Sequence, residues 1–164
     1  DFVKKLFERE VPEVSSKSVE IKLIAREAGV RTKMTVFSNQ SGVDPVGSCV
    51  GQKGVRVQAV TNELGGERVD IIPHSEDMAD LIKASLAPAE NLSVSLDAKN
   101  GIAKVKAPID QLSLAIGREG QNARLASKLT GWKIEVKEKE EEKVSKKKEK
   151  VKKSKTEKPE KTES

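Results

Sequence analysis

Apolar residues recur along the chain at two alternating periods, one helical and one of strand type. Val3, Leu6 and Phe7 share one face of a helix over residues 1–10, which must end before Pro12. Val19, Ile21 and Leu23 alternate with polar residues, as a half-buried strand does. Beyond Gly29, Thr32–Phe37 reads as a second strand with Met34 and Val36 on one face. Asp44 and Pro45 are a cap and a first helical position. The helix they start reaches Gly51, a second runs over Val55–Leu64, and Val69–Ile72 closes the unit as a strand. The order is α-β-β-α-α-β.

That order then repeats. Ser75 is the expected cap of a helix over Glu76–Leu86 carrying Met78, Leu81, Ile82 and Ser85 on one side, with Pro88 beyond its end. Leu92, Val94 and Leu96 alternate, Asn100-Gly101 signals a hairpin, and Ile102–Ala107 returns. Asp110 is the expected cap of the next helix, whose apolar face holds Leu112, Ala115 and Ile116. Leu125, Ala126 and Leu129 line the helix after it, and Ile134 and Val136 end the unit. Gly51-Gln52-Lys53-Gly54 and Gly117-Arg118-Glu119-Gly120 sit 66 residues apart. At the same offset Val46, Cys49 and Val50 fall on Leu112, Ala115 and Ile116, so the apolar face recurs with the glycines. The expected fold class is α+β, with one unit over residues 1–74 and another over 75–136. The short link around Pro73–Asp77 predicts units packed together.

Composition changes at residue 137. Lys137–Ser164 holds 12 Lys and 8 Glu, with only Val144 and Val151 apolar, and is expected to be a disordered charged tail. Of the net charge of +5, the tail carries +4 and residues 1–136 about +1. Any affinity of the folded part for a polyanion must therefore come from where its charges sit. No apolar run is long enough to span a bilayer, and the single cysteine suits a reducing cytoplasm, so no membrane partner is expected. The chain starts at Asp1 and is expected to be part of a longer protein.

Chemistry by side chains is sparse. His74 is the sole histidine, with no second His or Cys to share a metal, and no serine–base pairing is visible. Gly42 and Gly47 have phosphate-loop spacing, but Ser48 stands where that loop needs lysine. Cys49 falls on an apolar helix face. No catalytic residue, metal, cofactor or small-molecule substrate is expected. Aromatic content is 2% with no tyrosine, which argues against binders that stack bases on aromatic platforms. Trp132 reads as core.

The paired glycine turns are the candidate site. Each leaves the next helix start free of side-chain bulk, where unpaired N–H groups and a partial positive charge can hold a phosphate. Lys53 and Arg118 add a cation inside the turns, and Arg56, Gln58, Gln121 and Arg124 lie in the first helical turns beyond. Val50, Val55 and Ile116 flank the loops as groove floor or as core. Glu119 opposes a phosphate and should face solvent or pair with an arginine. The expected site is Gly51, Gln52, Lys53, Gly54, Arg56, Gln58, Gly117, Arg118, Glu119, Gly120, Gln121 and Arg124. The competing reading is a protein-interaction module whose glycine turns are only structural.

The element order with Gly-x-x-Gly between paired helices resembles a type II KH domain, here in tandem. Val43-Asp44-Pro45-Val46-Gly47 leads into Gly51-Gln52-Lys53-Gly54-Val55-Arg56-Val57-Gln58. With Gln111–Ala126 it resembles the bacterial NusA family of transcription factors. The resemblance covers residues 1–136. It implies binding of single-stranded RNA, the nascent transcript, by both units, with roles in elongation, pausing, termination and antitermination. Family members also carry a polymerase-binding region and an OB-fold domain that these residues do not include. The resemblance implies the RNA polymerase elongation complex as a partner of family members through those regions, and assigns no polymerase contact to these residues. The alternative is a stand-alone double-KH protein of ribosome assembly or RNA processing.

Overall fold

The computed structural model describes residues 1–140. Its first unit comprises α1 (Phe2–Glu10), α2 (Pro12–Ser15), β1 (Glu20–Glu27), β2 (Arg31–Phe37), α3 (Pro45–Val50), α4 (Val55–Glu63) and β3 (Arg68–Pro73). The second comprises α5 (Met78–Ser85), β4 (Ser93–Asp97), β5 (Ile102–Ala107), α6 (Ile109–Ile116), α7 (Gln121–Thr130) and β6 (Lys133–Glu138). Each unit has one three-stranded sheet, ordered β1-β2-β3 or β4-β5-β6. The middle strand runs antiparallel to the first and parallel to the last. The helix pair with its glycine turn is the crossover that the parallel pairing requires.

Four local expectations are corrected or extended. Pro12 ends α1 but also opens α2, because proline suits the first position of a helix. Asp77, and not Ser75, caps α5: its carboxylate accepts from the Asp80 N–H at 3.0 Å, while Ser75 Oγ accepts from the Asp77 N–H in the turn before. Asp110 lies inside the first turn of α6, whose cap position is Pro108 with no side-chain cap. The last strand continues through Lys137 and Glu138, so order extends past the compositional boundary at 136. From residue 141 the charged tail lies outside the described residues.

The first core joins Val3, Leu6 and Phe7 of α1 to Val19, Met34, Val36, Cys49 and Val60. The second joins Ile82, Leu86, Ala103, Val105 and Ala126, with Trp132 packed against them. A further apolar cluster lies between the units. Leu125 and Leu129 of α7 cover Ala25 and Ile72 of the first sheet, with Leu23 and Ala84 at its margin. Burying each leucine stabilises the pairing by roughly 1.5–3 kcal/mol. This contact overturns the half-buried reading of β1. A register shift between Ile21 and Leu23 lets Ile21 face the first core while Leu23 faces the second unit. It also explains why Arg31 through Val36 are buried on both faces of β2.

Polar groups in that contact are paired. Lys33 is fully buried; its Nζ donates to Asp70 Oδ2 at 2.8 Å and, across the boundary, to the Ala87 carbonyl at 3.1 Å. Burial pulls the Lys33 ammonium below its ordinary pKa, and Asp70 opposes that shift. At the β1–β2 turn, the buried Glu67 carboxylate accepts from Arg26 Nε, the Gly29 N–H and Thr32 Oγ1. Burial alone would raise its pKa, but these bonds outweigh it and hold the carboxyl below its usual range.

Candidate nucleic-acid interface

Each glycine turn starts where a helix has spent its last carbonyls. The Gly51 N–H donates to the Gly47 carbonyl at the end of α3, and the Gly117 N–H to the Ser113 carbonyl at the end of α6. Gly51 (φ 77, ψ 170) and Gly117 (φ 78, ψ 170) then share a conformation that is essentially restricted to glycine. A Cβ on Gly51 would lie 2.8 Å from Arg56 Cγ, and one on Gly117 2.7 Å from Asn122 Cβ. Lys53 (φ 54, ψ 26) and Glu119 (φ 55, ψ 26) both adopt the left-handed conformation. Gly54 and Gly120 follow it and serve as the caps of α4 and α7, neither of which has a side-chain cap bond. Two helix starts thus lack a side-chain cap, in matching backbone geometry, with only the first N–H of each, Val55 or Gln121, donating back to the Gln52 or Arg118 carbonyl.

The structure divides the expected site residues into three groups. Gln52, Lys53, Arg118 and Glu119 are exposed at the loop tips, and none makes a side-chain hydrogen bond or ion pair among the described residues. Val55 is 65% and Ile116 36% exposed beside them, whereas Val50 is half-buried. Gln58 donates along α4 to Asn62 Oδ1.

Arg56 and Arg124 are already engaged. Arg56 Nη1 donates to Glu13 Oε2 at 2.9 Å and to the Ser48 carbonyl at 2.8 Å. Arg124 Nε donates to Glu27 Oε1 at 2.6 Å, and its Nη1 to the Glu119 carbonyl at 3.2 Å. Glu27 belongs to the first sheet, so Arg124 joins that sheet to the backbone of the second loop. The hydrogen bond from Arg124 holds the Glu27 carboxyl below its usual range, with Lys128 and Gln121 also beside it.

Asn122 was not singled out by sequence reasoning, yet it anchors the second loop. It is buried, and its Nδ2 donates to the carbonyls of Leu86, Leu114 and Ala115 at 2.9, 3.1 and 3.1 Å. At the 66-residue offset Asn122 falls on Arg56 and Leu114 on Ser48. The two units therefore brace the same carbonyl from the same position with different side chains. That equivalence was the signal available in the sequence.

A sequence profile of the NusA-like first KH domain matches residues 1–74, and one of the NusA-like second KH domain matches residues 78–144. The chain belongs to the NusA family. The transcription termination/antitermination protein NusA of Bacillus subtilis is 53% identical over 135 residues, covering 82% of this chain and 36% of that protein. The protein of the same name from Thermus thermophilus is 53% identical over 135 residues, covering 82% and 35%. That from Halalkalibacterium halodurans is 50% identical over 139 residues, covering 85% and 36%. The chain spans about a third of the length of these NusA relatives. A solved structure described as the crystal structure of APE1850 has a TM-score of 0.55 at 21% identity, over 84% of this chain and 95% of that one. That likeness is one of fold. No helix among the described residues of this NusA region is long and apolar enough to cross a membrane.

Proposed function

We propose that this NusA region binds single-stranded RNA without catalysis, each Gly-x-x-Gly loop holding the sugar–phosphate backbone at a bare helix start. The observation that carries the reading is the matched pair of uncapped starts at Gly54 and Gly120, each beside an exposed cation, Lys53 or Arg118. Exposed Val55 and Ile116 offer apolar surface for bases next to each loop. Arg56 supports the first loop from behind, and Arg124 ties the second loop to the first unit. Glu119 turns its carbonyl to Arg124 and its carboxylate to solvent.

The wider role proposed is action on nascent transcript in elongation, pausing, termination and antitermination, in the cytoplasm; termination and antitermination are the roles in the names of the NusA relatives. The RNA polymerase elongation complex would be reached through parts of those relatives outside this chain. The NusA relatives favour this reading over a stand-alone double-KH protein.

The test replaces the loop centres by aspartate, in Q52D/K53D/R118D/E119D. The glycines remain, and aspartate tolerates the left-handed positions, so the fold should persist. Affinity for single-stranded RNA is expected to fall at least about tenfold, with the loss of phosphate contacts each contributing about −0.7 to the salt slope. Unchanged affinity and slope would leave the loops as structural corners only.

A further inference from the structure

The two sheets can be matched strand by strand, because Glu27 pairs with Arg31 as Asp97 pairs with Ile102, and Arg31 with Arg68 as Ile102 with Lys133. The match places Leu23, Ala25, Thr35 and Ile72 on Ser93, Ser95, Lys106 and Lys137. In the first sheet these positions face the second unit, where Leu23, Ala25 and Ile72 pack with Leu125 and Leu129. In the second sheet the same side faces solvent, and the apolar residues give way to two serines and a lysine.

What remains on that side is basic. Lys104, Lys106, Lys133 and Lys137 are exposed across β5 and β6, and Lys139 closes one end by donating to the Asn91 carbonyl. Asp97, Glu135 and Glu140 are the acids among them; Lys133 approaches Glu135 at 4.0 Å. Lys104, Lys106 and Lys137 make no ion pair among the described residues. With Ser93, Ser95, Lys139 and Glu140, Lys104 and Lys106 line an open groove of about 660 Å³. The corresponding lysine of the first sheet, Lys33, is buried against Asp70, so this surface has no counterpart there.

We propose that the open side of the second sheet is a further phosphate-binding surface, which takes up single-stranded RNA running on from the glycine loops. It rests on the RNA-binding reading above and extends it to longer ligands. Lysines two apart on a strand are about 7 Å from one another, and neighbouring strands about 4.8 Å apart. Such a row of compact, mobile charges on flexible stems suits a polyanion without fixed shape. Replacing Leu23, Ala25 and Ile72 by serines and lysine removes the apolar centre that a stable protein interface needs.

The experiment compares the full 164-residue chain with K104Q/K106Q/K137Q on single-stranded RNA of about 10 and about 30 nucleotides, since one KH unit holds about four. The triple variant is expected to bind the short RNA within twofold of the parent. Its affinity for the long RNA should fall at least about fivefold, with a salt slope shallower by about 2, as losing three phosphate contacts requires. A control, K4Q/K5Q/K83Q, removes the same charge elsewhere and should leave that slope unchanged. Equal long-RNA slopes for parent and triple variant would overturn the proposal, as would an equal loss in the control. Binding of poly-glutamate at the affinity of the long RNA, lost in the triple variant, would also overturn it in favour of an acidic protein partner. The loop variant separates the two readings: if it keeps its short-RNA affinity, the clamp itself has failed, whatever the sheet does.

Discussion

A methyl group on Gly117 has no room, since Asn122 Cβ would lie 2.7 Å away, and the backbone there is in a glycine-only region. Gly120 also has positive φ, but open space surrounds it. Chemical denaturation should therefore show Gly120→Ala costing about 1–2 kcal/mol, and Gly117→Ala at least about twice that. Equal costs would mean that the close approach to Asn122 does not matter. Asn122→Ala strips the buried Leu86 and Ala115 carbonyls and the part-buried Leu114 carbonyl of their donor and should cost about 2–3 kcal/mol. Cys49 is fully buried and its thiol is pushed up to about 11, chiefly by burial. A thiol reagent at pH 8 should label it only after denaturation; rapid labelling of the native chain would contradict that placement.

At the scale of elements, most of the pattern could be read in advance, and the failures in the first sheet share a cause. The helix–turn–helix pairs and the central strands announce themselves through period and glycine, because each unit buries one face against its own core. The double burial of β2 did not, because Lys33 and Thr35 look like a polar outer face until the second unit covers them. The same cover turned Leu23 away from Ile21. The cap of α5 was misplaced by two residues because Ser75, Glu76 and Asp77 offer competing polar side chains in the same turn. Asp77→Ala should cost about 1 kcal/mol and Ser75→Ala a few tenths; the reverse order would restore Ser75 as the cap. Of the loop residues, Lys53 and Arg118 are as exposed as their position suggested. The engagement of Arg56 and Arg124 was hidden because Glu13 and Glu27 are remote in sequence.

The two units are held together by the Leu125–Leu129 contact, the Lys33 bond to Ala87 and the Arg124–Glu27 pair. Trp132, in the second unit, and the far-UV signal of both units should consequently report one unfolding midpoint; a tryptophan transition at lower denaturant would show separate units. Glu27 and Glu67 both have carboxyls held below their usual range. Their stabilising contribution is complete above the unfolded pKa of about 4.3 and is lost as pH falls through the lower folded values. Stability should decline on acidification below about pH 4, less steeply in Glu67→Gln than in the parent. The central claim, that two bare helix starts grip an RNA strand, is tested most directly by following backbone amide resonances of the isotope-labelled chain during titration with a short single-stranded RNA. The largest shifts are expected together at Gly51–Val57 and Gly117–Ala123. Shifts that leave both loops unmoved while other surfaces respond would contradict it.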